Sequence, residues 1–143
     1  MNQNLMYFPC LAMLVLTLIV MIRMFCLRVG AVKNKDIEMN YFKTYNNCNP
    51  PALMLQADRH FINLFEAPVL FYMVCIFSVI TFQVTPSMFV AAWVYVFFRC
   101  IHAFIHLTSN KIRPRMLAYT LSWIALLYMG FSLGYKLLQA AVS

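Results

Sequence analysis

Four long apolar runs, separated by short polar stretches, organise the chain. The first goes from about Leu5 to about Leu27, and Leu5 to Ile22 carries no charge. At a rise of 1.5 Å per residue, a helix of this size crosses a hydrocarbon core. The N-terminal tail before it has no Lys or Arg, the run is long for a signal h-region, and no small-residue cleavage pattern follows, so it reads as a retained helix. Further helices are expected over about 52–82, 88–108 and 115–138. Cys48-Asn49-Pro50-Pro51 punctuates the second start, with Asn49 as the expected cap. Gln83-Val84-Thr85-Pro86-Ser87 and Ser109–Pro114 read as short connections. The fold class expected is an all-α, integral membrane four-helix bundle forming one domain over residues 1–143.

Polar residues interrupt the second run at regular steps. Arg59, Asn63 and Glu66 stand at i, i+4 and i+7, so a continuous helix aligns them along one face. Pro68 follows two residues later and is expected to kink that helix. The third run carries Arg99, His102 and His106, the fourth opens with Arg115 and Tyr119, and the first contains Arg23.

Composition agrees with the pattern. The 143 residues are 64% hydrophobic and 10% charged, well below the charged fraction of about 25% usual in soluble domains. No separate soluble domain fits. The net charge of +7 does not form a nucleic-acid patch, because the basic residues cluster at the ends of the apolar runs. The five cysteines are scattered and odd in number. They suit neither a disulfide framework nor a CxxC metal site and read as small buried hydrophobes.

Four spans put both termini on one side. Arg28, Lys33, Lys35, Lys43, Lys111 and Arg113 all fall on the other side, and Lys136 is the exception. The positive-inside rule makes those basic loops cytoplasmic and both termini external. Tyr41, Phe42 and Tyr45 in the long first loop are expected at headgroup level.

This topology gathers Arg23, Arg59, Asn63, Glu66, Arg99, His102, His106, Arg115 and Tyr119 into one layer, in the cytoplasmic half of the bilayer. A charge deep in a helix costs roughly 2.5–3.5 kcal/mol, so Arg59, Glu66 and Arg99 facing lipid would cost on the order of 8–10 kcal/mol. They must face the bundle interior or a wet cleft, with Glu66 paired to Arg99 or Arg59. A structural salt-bridge network locking helices two and three is one reading of these residues. Four arginines against one deep carboxylate favour another: an anionic ligand arriving from the cytoplasmic side. His102 and His106 at i and i+4 make only half a metal site, and hydrogen bonding within the bundle is their expected role. Asp58 and His60 are expected near the interface, solvated or lining the way in.

The arrangement resembles the membrane-associated proteins in eicosanoid and glutathione metabolism, the MAPEG superfamily, along essentially the whole chain. The resemblance rests on the Arg59-x3-Asn63-x2-Glu66-x-Pro68 stripe, on Arg99-x2-His102-x3-His106 and on Arg115-x3-Tyr119, in that order on successive helices. It implies a homotrimer in the lipid bilayer that binds glutathione as cosubstrate between subunits. Carried across, Arg59, Asn63 and Glu66 grip glutathione, and Arg99, His102, His106, Tyr119 and Arg23 line the same pocket. Arg115 is the implied catalytic residue. A nearby guanidinium lowers a thiol's pKa and so generates the thiolate nucleophile. A lipophilic small-molecule electrophile would arrive from the membrane.

Three departures bear on the reaction. Met116 stands where the prostaglandin synthase branch has Ser, His106 replaces a common Tyr, and Leu55-Gln56 replaces a frequent Glu-Arg pair. Prostaglandin synthesis is therefore unsupported, and the pattern is nearer to bacterial members resembling microsomal glutathione transferases, which implies a bacterial inner membrane. The leading expectation is a glutathione transferase or peroxidase. The alternatives are a non-catalytic lipid-binding member of the same superfamily and a structural membrane subunit.

Overall fold

The computed structural model describes residues 2–45 and 49–142. A 3₁₀ turn, Gln3–Met6, leads into α1 (Tyr7–Lys33). The short α2 (Tyr41–Thr44) lies in the first loop. The second span is divided into α3 (Ala52–Asn63) and α4 (Ala67–Ile80). The last two spans are α5 (Pro86–Leu107) and α6 (Ile112–Val142). Four stretches, Gln3–Lys33, Ala52–Ile80, Pro86–Leu107 and Ile112–Val142, are long and apolar enough to cross a membrane. The expected all-α membrane bundle is the observed architecture.

The main departure is the break in the second span. The expectation of one kinked helix is corrected: the helix stops after Asn63 and restarts at Ala67. Proline has no N–H, and its ring collides with the carbonyl four residues earlier, here that of Leu64. The chain resolves this before reaching Pro68. Tight turn bonds run from Phe65 N to Ile62 O at 2.9 Å and from Glu66 N to Asn63 O at 3.4 Å. Glu66 takes φ −97° and ψ −93°, outside helical space, and Pro68 falls in the opening turn of α4. Proline is tolerated there because first-turn N–H groups have no intrahelical partner.

Other helix ends also differ from the simple pattern. Asn49 is not the cap of α3; Pro51 holds that place, without a side-chain bond. α5 begins at Pro86, not Met88, because the Thr85 hydroxyl accepts from Met88 N at 3.2 Å. α1 ends in a left-handed Lys35, with Asp36 N bonded to Ala31 O at 2.9 Å and Lys35 N to Val32 O at 3.1 Å. This paired closure satisfies two carbonyls that the helix leaves open.

A narrow stripe, Met6 at the end of the 3₁₀ turn and Met13, Val20 and Met24 on α1, is buried against the bundle. Its seven- and four-residue steps keep one seam inward while the remaining faces stay apolar and outward. α5 packs most extensively on α6, α1 lies along α3 and α5, and α4 touches α6. Phe71 of α4 and Tyr95 of α5 stack with centroids 4.3 Å apart, at 9°. Tyr41 is not at the surface: it joins Ala31, Ile37 and Met54 in a small second core beneath the first loop. Among the cysteines, Cys75 is buried and Cys10 half-buried, whereas Cys26 and Cys100 face outward, contrary to the expectation of uniform burial. Cys48 lies outside the described residues.

Candidate functional site

The polar residues of the four spans meet toward the end of the bundle where α5 finishes and α3 and α6 start. A cleft of about 360 Å³ opens there. Arg59, Asn63 and Glu66 form one wall, His102 and His106 the second, and Arg115, Met116, Tyr119 and Thr120 the third. The helix break lets Glu66 turn back toward Asn63, three residues earlier, instead of continuing along a straight face.

Asn63 sits at the centre of the charge arrangement. Arg99 donates through Nη2 to Asn63 Oδ1 at 2.8 Å. Asn63 donates in turn through Nδ2 to Glu66 Oε2 at 3.1 Å. A guanidinium only donates and a carboxylate only accepts, so these neighbours fix both ends of the amide. The direct ion pair expected between Glu66 and Arg59 or Arg99 is therefore replaced by a relay through a neutral side chain. Among the described residues the one ion pair is Arg28 to Asp58, at 2.9 Å. It ties α1 to α3, so Asp58 is a structural partner and not a solvated acid.

Arg99 is fully buried and lies behind the cleft wall rather than on it. Its guanidinium stands 5.6 Å from the centre of the Tyr119 ring, a distance at which the ring face attracts the cation. Its Nε and Nη1 find no hydrogen-bond partner among the described residues. Arg115 reaches into the cleft from the first turn of α6, and its Nη1 donates to Asn110 Oδ1. Counting Arg99 behind the wall, three guanidiniums face one carboxylate, and the cleft carries a surplus of positive charge.

Arg23 lies apart from this lining. It donates through Nη2 to the carbonyl of Leu107 at 2.8 Å. Gln56 donates to the neighbouring carbonyl of His106. Both bonds satisfy carbonyls in the last turn of α5, which the helix itself leaves open, and the cation of Arg23 suits the negative end of the helix dipole.

One residue of this region was not expected in it. His60 is wholly buried, with its ring 4.8 Å from that of His106 and 5.5 Å from that of His102. A sequence signal for its burial exists. Met54, Ala57, His60 and Leu64 recur at three- and four-residue steps and all face inward. His102 completes the group: its Nδ1 lies 3.0 Å from the Arg115 carbonyl, and its ring is 5.4 Å from that of Tyr119.

A cationic cleft among buried aromatic and imidazole rings, built into a four-span bundle, can hold a small anion with an amide or amine group. Neither a curated protein nor a solved structure matches the chain. A family model described as the MAPEG family matches residues 6–135. That is nearly the whole of a chain with four membrane-spanning helices, and the protein belongs to the MAPEG family.

Proposed function

We propose that this protein binds glutathione in the cleft and uses it as a thiolate against lipophilic electrophiles, as a glutathione transferase or peroxidase. The observation that carries this reading is the charge surplus: Arg59, Arg99 and Arg115 converge with Asn63 on a single carboxylate, Glu66. Glutathione has two carboxylates, one ammonium and two amides. Arg59 and Arg115 suit its carboxylates and sulfur, Glu66 its ammonium, and the exposed rim its peptide. A guanidinium beside the sulfur favours the thiolate, the reactive form of a thiol, and Arg115 is the cleft cation assigned to that role. Arg99 acts through Asn63, holding the amide that holds Glu66.

The assembly proposed is a homotrimer. Arg59 and Glu66 are exposed at the rim, where a neighbouring copy would close the cleft. The basic loops are assigned to the cytoplasm and both termini to the opposite side. A reporter fused to the C-terminus checks the sidedness; activity of a reporter that works only in the cytoplasm contradicts it.

The test of function is an ultraviolet difference spectrum of the detergent-purified protein on addition of glutathione. A thiolate band that disappears in Arg115→Ala supports the enzyme. Absence of glutathione binding rejects the reading. Binding without a thiolate favours a non-catalytic lipid-binding member, a reading that draws on the apolar groove of about 760 Å³ at the opposite end of the bundle.

A further inference from the structure

Forming a thiolate leaves a proton to be placed, and the cationic cleft offers it no arginine. The three imidazoles beside the cleft are different. His60, His102 and His106 come from α3 and α5, and their rings lie 4.8–5.7 Å apart in a mutually contacting triangle. His60 Nδ1 and Nε2, His102 Nε2 and His106 Nδ1 are buried without a hydrogen-bond partner among the described residues. Buried polar atoms are nearly always paired, so four such nitrogens in one place call for an account.

His102 supplies the direction of transfer. The Arg115 carbonyl can only accept, so His102 Nδ1, 3.0 Å away, carries the hydrogen. In the neutral ring, Nε2 then holds a free lone pair. The residue whose side chain reaches into the cleft therefore uses its backbone to set the neighbouring imidazole as a proton acceptor. No group of three His, Cys, Asp or Glu side chains among the described residues has the disposition of a metal site, which turns the chemistry of the cluster toward protons.

The surroundings decide when a proton is tolerated. Arg59 lies on α3, Glu66 at the α3–α4 break, Tyr95 and Arg99 on α5, and Arg115 and Tyr119 on α6. From α1 come Arg23, bound to the Leu107 carbonyl, and Arg28, neutralised by Asp58. The cleft thus surrounds the imidazoles with cations. An anionic ligand offsets those cations, and a proton passed from it to an imidazole leaves the net charge of the site unchanged.

We propose that the His60–His102–His106 cluster is the proton acceptor for a thiol bound in the cleft. The S–H bond breaks, its electron pair stays on sulfur beside Arg115, and the proton goes to an imidazole nitrogen of the cluster. When the thiolate bonds to an electrophile, the same proton serves the leaving group or the atom that receives the displaced electron pair. The imidazole then returns to its neutral form. This rests on the glutathione reading above.

Calorimetric titration of glutathione into the detergent-purified protein, in two buffers of different ionisation enthalpy, measures protons released to solvent. Thiolate absorbance is followed in parallel. The wild type is expected to form thiolate while releasing far less than one proton per thiolate. His102→Asn keeps a donor for the Arg115 carbonyl and removes the titrating nitrogen; His106→Asn serves if that variant does not fold. Either variant is expected to release about one proton for each thiolate still formed, since the charge no longer stays on the protein. Full release by the wild type overturns the transfer while leaving glutathione binding and the thiolate intact. Absence of binding heat overturns the glutathione reading and the transfer with it.

Discussion

Two cavities of this bundle lie at opposite ends and are built from opposite materials. The larger, about 760 Å³, is formed by the N-terminal turn, the start of α1 and the last two turns of α4, with Leu5, Phe8, Tyr72, Ile76 and Val79 on its walls. The smaller, about 360 Å³, is lined by Arg59, Glu66 and Arg115, whereas no charged residue lines the larger. Size alone would direct attention to the wrong end. In a membrane an apolar groove has little to distinguish it from the lipid around it, because acyl chains are as apolar as leucine. A charge in the same setting must have a partner or a purpose. Polar groups in the bundle are therefore the better guide to chemistry, and volume the poorer one.

The comparison can be broken most severely at Arg99. Replacement by Ala leaves Asn63 without its donor and an empty space behind the cleft wall. A loss of about 3–5 kcal/mol is expected, as when one partner of a buried charge arrangement is removed; thermal unfolding in detergent measures it. A small effect would mean that Arg99 contributes little to holding the polar end. Asn63→Ala is expected to act next most strongly, costing about 1–3 kcal/mol of binding, or roughly ten- to a hundredfold in glutathione affinity, through the freed Glu66. Calorimetry on the folded variant reads this directly. Glu66→Gln sharpens the point: assembly should survive while glutathione affinity falls about tenfold, the value of one charge-assisted bond. Collapse of the assembly would instead make Glu66 structural.

Filling the apolar groove with Val79→Phe should leave glutathione affinity within about twofold, since distant sites act independently. A large change would show that the two ends are coupled. A small gain in stability is expected at Lys35, whose φ of 63° is strained for a side chain. Lys35→Gly should gain about 1 kcal/mol in unfolding experiments, by relieving a left-handed residue at a helix end.

Much of this architecture is written plainly in the sequence. Leu5 to Ile22 and Met116 to Tyr135 contain no charge, and lipid permits such runs little besides a helix. The gathering of Arg59, Asn63, His102, His106 and Arg115 follows from topology alone, because alternating spans put those positions at the same end. What periodicity does not contain is local departure from periodicity. The i, i+4, i+7 stripe presumes a straight helix, and the clash upstream of Pro68 moves Glu66 off it. Opposite charges predict a direct ion pair; instead the Asn63 amide accepts from Arg99 and donates to Glu66 through charge-assisted bonds. Placing His60 with Asp58 near the interface overlooks the inward stripe that it shares with Ala57 and Leu64.

The break at Leu64–Glu66 also explains how an unpaired carboxylate survives within the bilayer. Glu66 is the residue immediately before α4, a helix of fourteen residues. The aligned peptide dipoles of such a helix present roughly half a positive charge at its first turn. Glu66 is thus held by the field of the backbone as well as by the Asn63 amide. An acid stabilised in this way does not need an arginine as its direct partner, and the guanidiniums across the cleft stay available to whatever enters it.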